Sequence, residues 1–231
     1  MAFFNHAATT PIDNRIRDQL RNDYTLPLNP SSVHRHGQRA RALLSKAREE
    51  LANLLDWIPE DIIFTSGATE SNNLALRGLA QGRLANNDQP LHVVSSELEH
   101  SCVKETLAAL SKNGNAEVSL LDVDESGKAR LLGSFRTETD LLCLMAAQNE
   151  TGVIQPLEDA RRLKESAGCL WLSDITQAVG VLPLTIPGLG ADLVSFSSHK
   201  VYGPPGVGAL AGPGLKRIVP QITGGPQEHE L

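Results

Sequence analysis

The chain has 231 residues, and its 21 lysine and arginine residues against 27 aspartate and glutamate residues give a formal net charge of −6. This acidic balance argues against a general nucleic-acid-binding protein, which needs clustered positive charge, and no apolar run reaches the roughly 18 residues that a membrane-spanning helix requires. The three cysteines form no CxxC pair and leave one over, so we expect reduced thiols in a cytoplasmic protein rather than a disulfide framework.

The first part of the chain predicts two helices separated by a loop. Residues 12–21 can form a short helix, and residues 25–37 (TLPLNPSSVHRHG) are rich in Pro, Ser and His, as is typical of a loop. A stronger helix follows, because apolar residues recur at 3.6-residue spacing from Ala40 to Leu55. The charged residues on its other face indicate a solvated surface, with a basic docking patch as the alternative.

From residue 61 onward, short apolar runs alternate with helical segments. Three helices are predicted at residues 69–84, 101–112 and 156–167. The apolar runs predict strands at residues 61–65, 91–95, 117–123, 141–147, 169–173, 193–197 and 207–211. Continuous apolar strands separated by helices are typical of a mostly parallel sheet with both faces covered. The predicted fold class is therefore α/β, with the strands in one large domain.

Polar clusters follow several of these strands, which is where ligands bind in a parallel sheet. The first is SGATE at residues 66–70, between a strand and a helix. Gly67 suits a tight turn, and the amides that follow it can hold an anion at the helix N-terminus. The alternative is that Ser66 or Thr69 only caps the helix. No GxxxxGK[ST] nucleotide motif is present.

A second cluster, Ser197-Ser198-His199-Lys200, follows the strand at residues 193–197. Lys200 is either a solvated loop lysine or an amine whose pKa is lowered by its site, ready to react with a carbonyl cofactor. In the second case, Ser197 and His199 would donate hydrogen bonds to a phosphate beside the 69–84 helix.

Three further clusters complete the pattern. Asp174 is either the carboxylate that faces the pyridine nitrogen of pyridoxal phosphate or an N-cap. His100, after Glu99, can stack on a flat ring or move protons, and Asn149 is either a donor to a ring hydroxyl or a turn residue. Together the five clusters supply an anion cradle, a reactive lysine, a pyridinium carboxylate, a stacking group and an amide donor. These are the requirements of pyridoxal phosphate.

The motifs resemble those of the cysteine desulfurases, which are fold-type I pyridoxal-phosphate enzymes among the class V aminotransferases. The likeness runs along the whole chain and is carried by AATTP at 7–11, SGATESNN at 66–73, Glu99-His100, NETGVIQPL at 149–157 and SFSSHKVYGPPGVGAL at 195–210. It implies a seven-stranded large domain at residues 21–231, preceded by an N-terminal segment at residues 1–20.

The resemblance also implies residue roles. Lys200 would be the Schiff-base lysine and His100 would stack on the cofactor ring, which makes these two the catalytic candidates. Asp174 would face the pyridine nitrogen, and Gln177 and Asn149 would lie near the ring hydroxyl. The other cofactor-binding candidates, of which the last three would hold the phosphate, are Ala68, Thr69, Ser197 and His199.

The activity that the resemblance implies is the conversion of L-cysteine to L-alanine in a homodimer. The sulfur would pass as a persulfide to an acceptor or scaffold protein for iron–sulfur cluster or thio-cofactor synthesis. The related enzymes carry the persulfide on a mobile cysteine near a smaller C-terminal domain, for which this sequence has no matching segment. We therefore expect little activity from these 231 residues alone, and buried core thiols at Cys102, Cys143 and Cys169.

Other functions fit the same motifs. A selenocysteine lyase, a cysteine C–S lyase or another class V aminotransferase would keep the cofactor and change the reaction. A non-catalytic remnant would bind the cofactor or a partner without turnover. No metal site is expected, because His34 and His36 have no carboxylate or cysteine partner in their loop.

Overall fold

The computed structural model describes residues 4–87, 89–131, 138–225 and 227–231. Its α-helices are α1 (Asn14–Asp23), α2 (Arg35–Leu55), α3 (Ala68–Asn87), α4 (Ser101–Lys112), α5 (Leu157–Ala167) and α6 (Ile186–Leu189). Its strands are β1 (Ile62–Thr65), β2 (Leu91–Ser96), β3 (Ala116–Leu121), β4 (Leu141–Cys143), β5 (Leu170–Asp174), β6 (Leu193–Ser197) and β7 (Gly208–Ala211). Short 3₁₀ helices span Pro59–Asp61, Ser198–Lys200, Pro213–Arg217 and Gln227–Glu230.

The strands form one seven-stranded sheet of order β1-β7-β6-β5-β4-β2-β3. Strands β3, β2, β4, β5 and β6 run parallel to one another, whereas β7 runs antiparallel to both of its neighbours, β6 and β1. The prediction of a mostly parallel, seven-stranded α/β sheet is confirmed. Because β2, β4, β5 and β6 are parallel, the polar clusters that follow them meet at one edge of the sheet.

Two apolar layers cover the sheet. Helices α3 and α4 pack on one face and α2, α5 and α6 on the other. Successive side chains of a strand point to opposite faces, so Leu141 and Leu172 join the layer of α3 and α4, while Leu142 and Trp171 join the other. Both faces are buried, which is why these strands are apolar throughout.

The apolar run at residues 141–147 is a shorter strand than its composition predicts. The ladder ends at Cys143, and beyond it Leu144 N donates to Leu172 O at 3.1 Å and Ala146 N to Asp174 O at 2.9 Å. Residues 144–147 stay buried. The apolar composition of residues 141–147 therefore predicts burial correctly, but it does not predict how far the strand pairing extends.

Helix starts are set by capping residues. The predicted first helix began two residues too early, because Asp13 is the N-cap of α1 and its Oδ1 accepts from Arg15 N at 2.8 Å. The predicted loop at 25–37 was too long, because His34 caps α2 and its Nδ1 accepts from Gly37 N at 3.3 Å. The sequence prediction also missed the one-turn helix α6, which begins at Ile186 behind Thr185 as cap.

The N-terminal segment (residues 1–20) is hydrogen-bonded through Thr10 and Asp13 to the loop after β6. Thr10 N donates to His199 O at 2.8 Å, and the Thr10 hydroxyl accepts from Tyr202 N at 2.6 Å. Asp13 N adds a bond of 2.9 Å to Tyr202 O. The proposed boundary between residues 20 and 21 lies inside α1. Among the described residues, none of the helices is long and apolar enough to cross a membrane.

The buried layer around β4 generates a stability prediction. Leu142 is 0% exposed, whereas Leu120 of β3 is 53% exposed. We expect Leu142→Ala to lower the free energy of unfolding by about 2–5 kcal/mol, because it removes buried apolar contacts and leaves a cavity. The control Leu120→Ala should cost less than about 1 kcal/mol. Urea denaturation measures both, and equal losses would contradict the assignment of Leu142 to the core.

Candidate functional site

A cavity of about 300 Å³ opens at the edge of the sheet where β4, β5 and β6 end. Its lining includes every residue that the sequence proposed for the cofactor: Ala68, Thr69, His100, Asn149, Asp174, Gln177, Ser197, His199 and Lys200. The fold therefore brings all nine together, although the sequence distributes them over more than half of the chain. Their individual roles stay a prediction.

One end of the cavity is built from the N-terminus of α3 and the end of β6. Ala68 N donates to Ser197 Oγ at 2.7 Å, which leaves the Ser197 hydroxyl proton free to donate elsewhere. The Ser66 hydroxyl and amide both bond to the Glu70 carboxylate, at 2.5 and 2.8 Å, so Ser66 does not cap the amides of α3. A helix N-terminus beside a free hydroxyl donor is suited to a phosphate.

Strand β7 approaches this turn at van der Waals distance, and glycine makes the approach possible. A Cβ on Gly208 would lie 2.5 Å from Gly67 Cα and 2.6 Å from Phe196 O. No side chain fits there, because real Cβ atoms do not approach other atoms so closely. The antiparallel strand β7 thus supports the SGATE turn from behind.

Lys200 reaches the cavity from the 3₁₀ helix Ser198–Lys200. Its Nζ donates to Ala7 O at 2.5 Å, and Gln177 Nε2 donates to the same carbonyl at 2.9 Å. Partial burial lowers the pKa of Lys200 below the usual lysine value, and the negative charge of Asp174 opposes that shift. A lowered pKa increases the fraction of neutral amine, which is the nucleophilic form. These contacts favour a site lysine over a solvated loop lysine.

His199, which precedes it, contacts the N-terminal segment. Its Nδ1 lies 3.1 Å from Thr9 Oγ1. Desolvation lowers the pKa of His199, and the positive charge of Lys200 acts in the same direction. The ring is therefore neutral at physiological pH and has one N–H to donate.

Asp174 ends β5 as a buried carboxylate with a donor on each oxygen. Oδ1 accepts from Thr176 N and Oδ2 from Asn72 Nδ2, both at 2.9 Å. The first bond is a local cap, as one sequence interpretation expected. The second joins Asp174 to α3, which the sequence did not predict, since only the SGATESNN motif drew attention to Asn72.

His100 and Glu99 occupy the turn between β2 and α4. His100 caps α4, and its Nδ1 accepts from Cys102 N at 3.2 Å, so the neutral ring carries its proton on Nε2. Glu99 is buried, and its Oε1 accepts from Met145 N at 2.6 Å. Burial raises the pKa of Glu99 to about 8, and the charge of Asp174 adds to the shift.

Asn149 faces the cavity because its neighbour holds the turn. Gln148 Oε1 accepts from Glu150 N at 2.6 Å and from Thr151 N at 2.8 Å. The side-chain bonds typical of an Asx turn are thus made by Gln148, and Asn149 lines the cavity.

The expectation of buried core thiols was correct for Cys143 and Cys169 and wrong for Cys102. Cys102 is half-buried and lines the cavity. The reason is that α4 begins at the cavity edge, so its first turn faces the site. Burial raises the pKa of the Cys102 thiol, which keeps it protonated and therefore a weak nucleophile.

Glu99 generates a pH prediction. An ordinary glutamate has a pKa of 4.5, whereas folded Glu99 has a pKa of about 8. Between these values the folded protein holds a proton that the unfolded chain has released. Stability must therefore fall as pH rises through this window, by at most about 1.4 kcal/mol per pH unit.

We expect Glu99→Gln, which cannot ionise, to lose less stability than the unchanged protein as pH rises from about 5 to about 8. Glu97→Gln is the matched control, because Glu97 lies exposed in the same turn. Urea denaturation at several pH values supplies the free energies. Identical pH slopes for the unchanged protein and Glu99→Gln would contradict a raised pKa at Glu99.

Comparison with known proteins identifies a family and relatives of similar sequence. The sequence model of the family "Aminotransferase class-V" matches residues 2–230. The mitosomal cysteine desulfurase of Encephalitozoon cuniculi is 38% identical over 236 residues, which cover 99% of this chain and 54% of the relative. Cysteine desulfurase IscS of Anaeromyxobacter sp. is 38% identical, with 98% and 57% covered. The chain thus spans little more than half the length of these relatives.

Solved structures agree in fold. The structure described as "SspA in complex with cysteine" superposes with a TM-score of 0.94 at 33% identity, over 100% of this chain and 67% of that one. A NifS-like protein superposes with a TM-score of 0.90 at 36% identity, over 99% and 63%. The sheet is accordingly that of the fold-type I pyridoxal-phosphate enzymes.

Proposed function

Because the chain belongs to the class-V aminotransferase family, we propose that it is the cofactor-binding part of a pyridoxal-phosphate-dependent cysteine desulfurase. The observation that carries this proposal is the cavity in which a half-buried lysine, a buried carboxylate and the N-terminus of α3 meet. The two cysteine desulfurases described above, each 38% identical to this chain, support the choice of reaction within the family.

The hydrogen-bonding and charged groups of the cavity fit both the phosphate and the pyridine ring of pyridoxal phosphate. The α3 N-terminus, the Ser197 hydroxyl and neutral His199 offer hydrogen-bond donors to a phosphate. At the other end, the buried Asp174 offers the negative charge that a protonated pyridine nitrogen needs. When bound, pyridoxal phosphate supplies an aldehyde for covalent attachment and a ring that stabilises negative charge at the substrate Cα.

The residues around the cofactor would attach it, transfer protons and bind the ring hydroxyl. Lys200, with its lowered pKa, would attach the cofactor covalently and then hold the proton removed from the substrate Cα at Nζ. His100 would lie against the ring with its Nε2–H available for proton transfer. Asn149 and Gln177 would donate to the ring hydroxyl, and Gln177 would then exchange its bond to Ala7 O for that contact.

We further propose L-cysteine as substrate, a homodimer as the working state and an acceptor or scaffold protein for the sulfur. Cytoplasmic localisation is supported by the free thiols alone. We assign no sulfur-carrying role to Cys102, Cys143 or Cys169, because burial raises the pKa of each thiol. Selenocysteine lyase, C–S lyase and other aminotransferase activities are alternatives that the products of the reaction separate.

The attachment site is tested by Lys200→Ala. In the unchanged protein, we expect borohydride reduction to fix pyridoxal phosphate on the peptide that contains Lys200, because its amine has a lowered pKa and lines the cavity. Lys200→Ala should lose the fixed label and the visible absorbance of the bound cofactor. Lys112→Ala, at the exposed end of α4, is the control. Label retained in Lys200→Ala would remove Lys200 from this role.

The reaction is tested by product analysis with L-cysteine and a thiol reductant, on the protein as its gene encodes it. We expect L-alanine and sulfide, and a loss of about 100-fold or more in Lys200→Ala, which lacks the proton-accepting amine. Pyruvate with sulfide would instead indicate a C–S lyase, and alanine from selenocysteine only would indicate a selenocysteine lyase. Cofactor binding without any product would favour the non-catalytic alternative.

A further inference from the structure

Three buried polar side chains form a line beneath the cavity. Ser195 of β6 and Asn72 of α3 are 0% exposed, and Asp174 of β5 is 6% exposed. The Ser195 hydroxyl donates to Asn72 Oδ1 at 2.6 Å, and Asn72 Nδ2 donates to Asp174 Oδ2 at 2.9 Å. None of the nine cofactor candidates except Asp174 belongs to this line.

The orientation of the Asn72 amide follows from the chemistry of its partners. An ionised carboxylate only accepts hydrogen bonds, so Asn72 must present its NH₂ group to Asp174. The amide oxygen then faces Ser195, whose hydroxyl can donate. The second amide hydrogen points to Cys102 Sγ at 3.4 Å. Every hydrogen-bonding position of the amide except one oxygen lone pair is used, so rotating the side chain would leave buried groups unsatisfied.

These hydrogen bonds also restrict the orientation of the Asp174 carboxylate. Asp174 Oδ2 is held by Asn72 from α3, and Oδ1 by the Thr176 amide from the following turn. Donors on both oxygens fix the carboxylate plane, and hydrogen bonds to a charged group are stronger than neutral ones. The free lone pairs of Asp174 then have one direction relative to the cavity.

We propose that Asn72 is a positioning residue that, held by Ser195, aims the Asp174 carboxylate at the ring nitrogen of pyridoxal phosphate. The inference rests on the proposed function and adds to it a residue that contacts Asp174 from behind the cavity lining. Asn72 does not line the cavity. It acts through Asp174, and its contribution is to keep the ring nitrogen protonated.

The test compares Asn72→Ala with Asn73→Ala in the full chain loaded with pyridoxal phosphate labelled with ¹⁵N at the ring nitrogen. Asn73 is the matched control: it is the next residue of α3, and its side chain bonds to Thr69 O and Thr106 rather than to Asp174. We expect Asn72→Ala to move the ¹⁵N chemical shift toward that of the unprotonated ring. Its Kd for pyridoxal phosphate should rise by up to about 10- to 100-fold, the value expected when the misdirected Asp174 carboxylate loses its one bond to the charged ring nitrogen. Asn73→Ala should leave the shift unchanged.

Ser195→Ala is a second variant with little change in volume, and it keeps the proposal testable if Asn72→Ala does not fold. It removes the donor that holds the amide oxygen, so we expect a smaller shift in the same direction. An unchanged ¹⁵N shift in the folded variants at Asn72 and Ser195 would overturn the inference. Failure of the unchanged protein to bind pyridoxal phosphate would overturn the proposed function instead, so the two failures are distinct.

Discussion

A carboxylate buried at the end of a parallel strand needs hydrogen-bond donors, and much of the site is arranged around that need. Asp174 receives one donor from its own turn and one from α3, because an unpaired charge in this position would cost several kcal/mol. Burial raises the pKa of the nearby Glu99 to about 8, and the charge of Asp174 adds to this shift, so Glu99 holds its proton at neutral pH.

The N-terminal segment also forms hydrogen bonds with residues that line the cavity. The carbonyl of Ala7 accepts from both Lys200 and Gln177, and Thr10 bonds to the backbone of His199. A segment that precedes every strand of the sheet thus restricts the residues that follow β5 and β6. The amine of Lys200, the imidazole of His199 and the amide of Gln177 are thus positioned together.

The α/β fold and the meeting of the nine candidate residues at one cavity could be predicted from the sequence, in part from one regularity and in part from the resemblance to the cysteine desulfurases. Apolar strands separated by helices form a parallel sheet, and the polar residues that follow such strands meet at one edge. Asn72 could not be recognised in the same way, since its partners Ser195 and Asp174 lie more than 100 residues further along the chain. The end of β4 depends on its pairing with β5. The partial exposure of Cys102 depends on where α4 begins. Composition encodes neither of these.

The antiparallel strand β7 links distant parts of the chain. It pairs with β1, joining Ile62 to Ala211, and its Gly208 lies directly behind the turn at Gly67. During synthesis, the turn at 66–70 leaves the ribosome long before the strand that supports it. The nascent chain therefore leaves this turn unsupported until β7 has emerged, because contacts so distant in sequence close late. A chain whose synthesis stops before residue 208 keeps this turn without its supporting strand, so the local geometry at 66–70 depends on completion of the sheet.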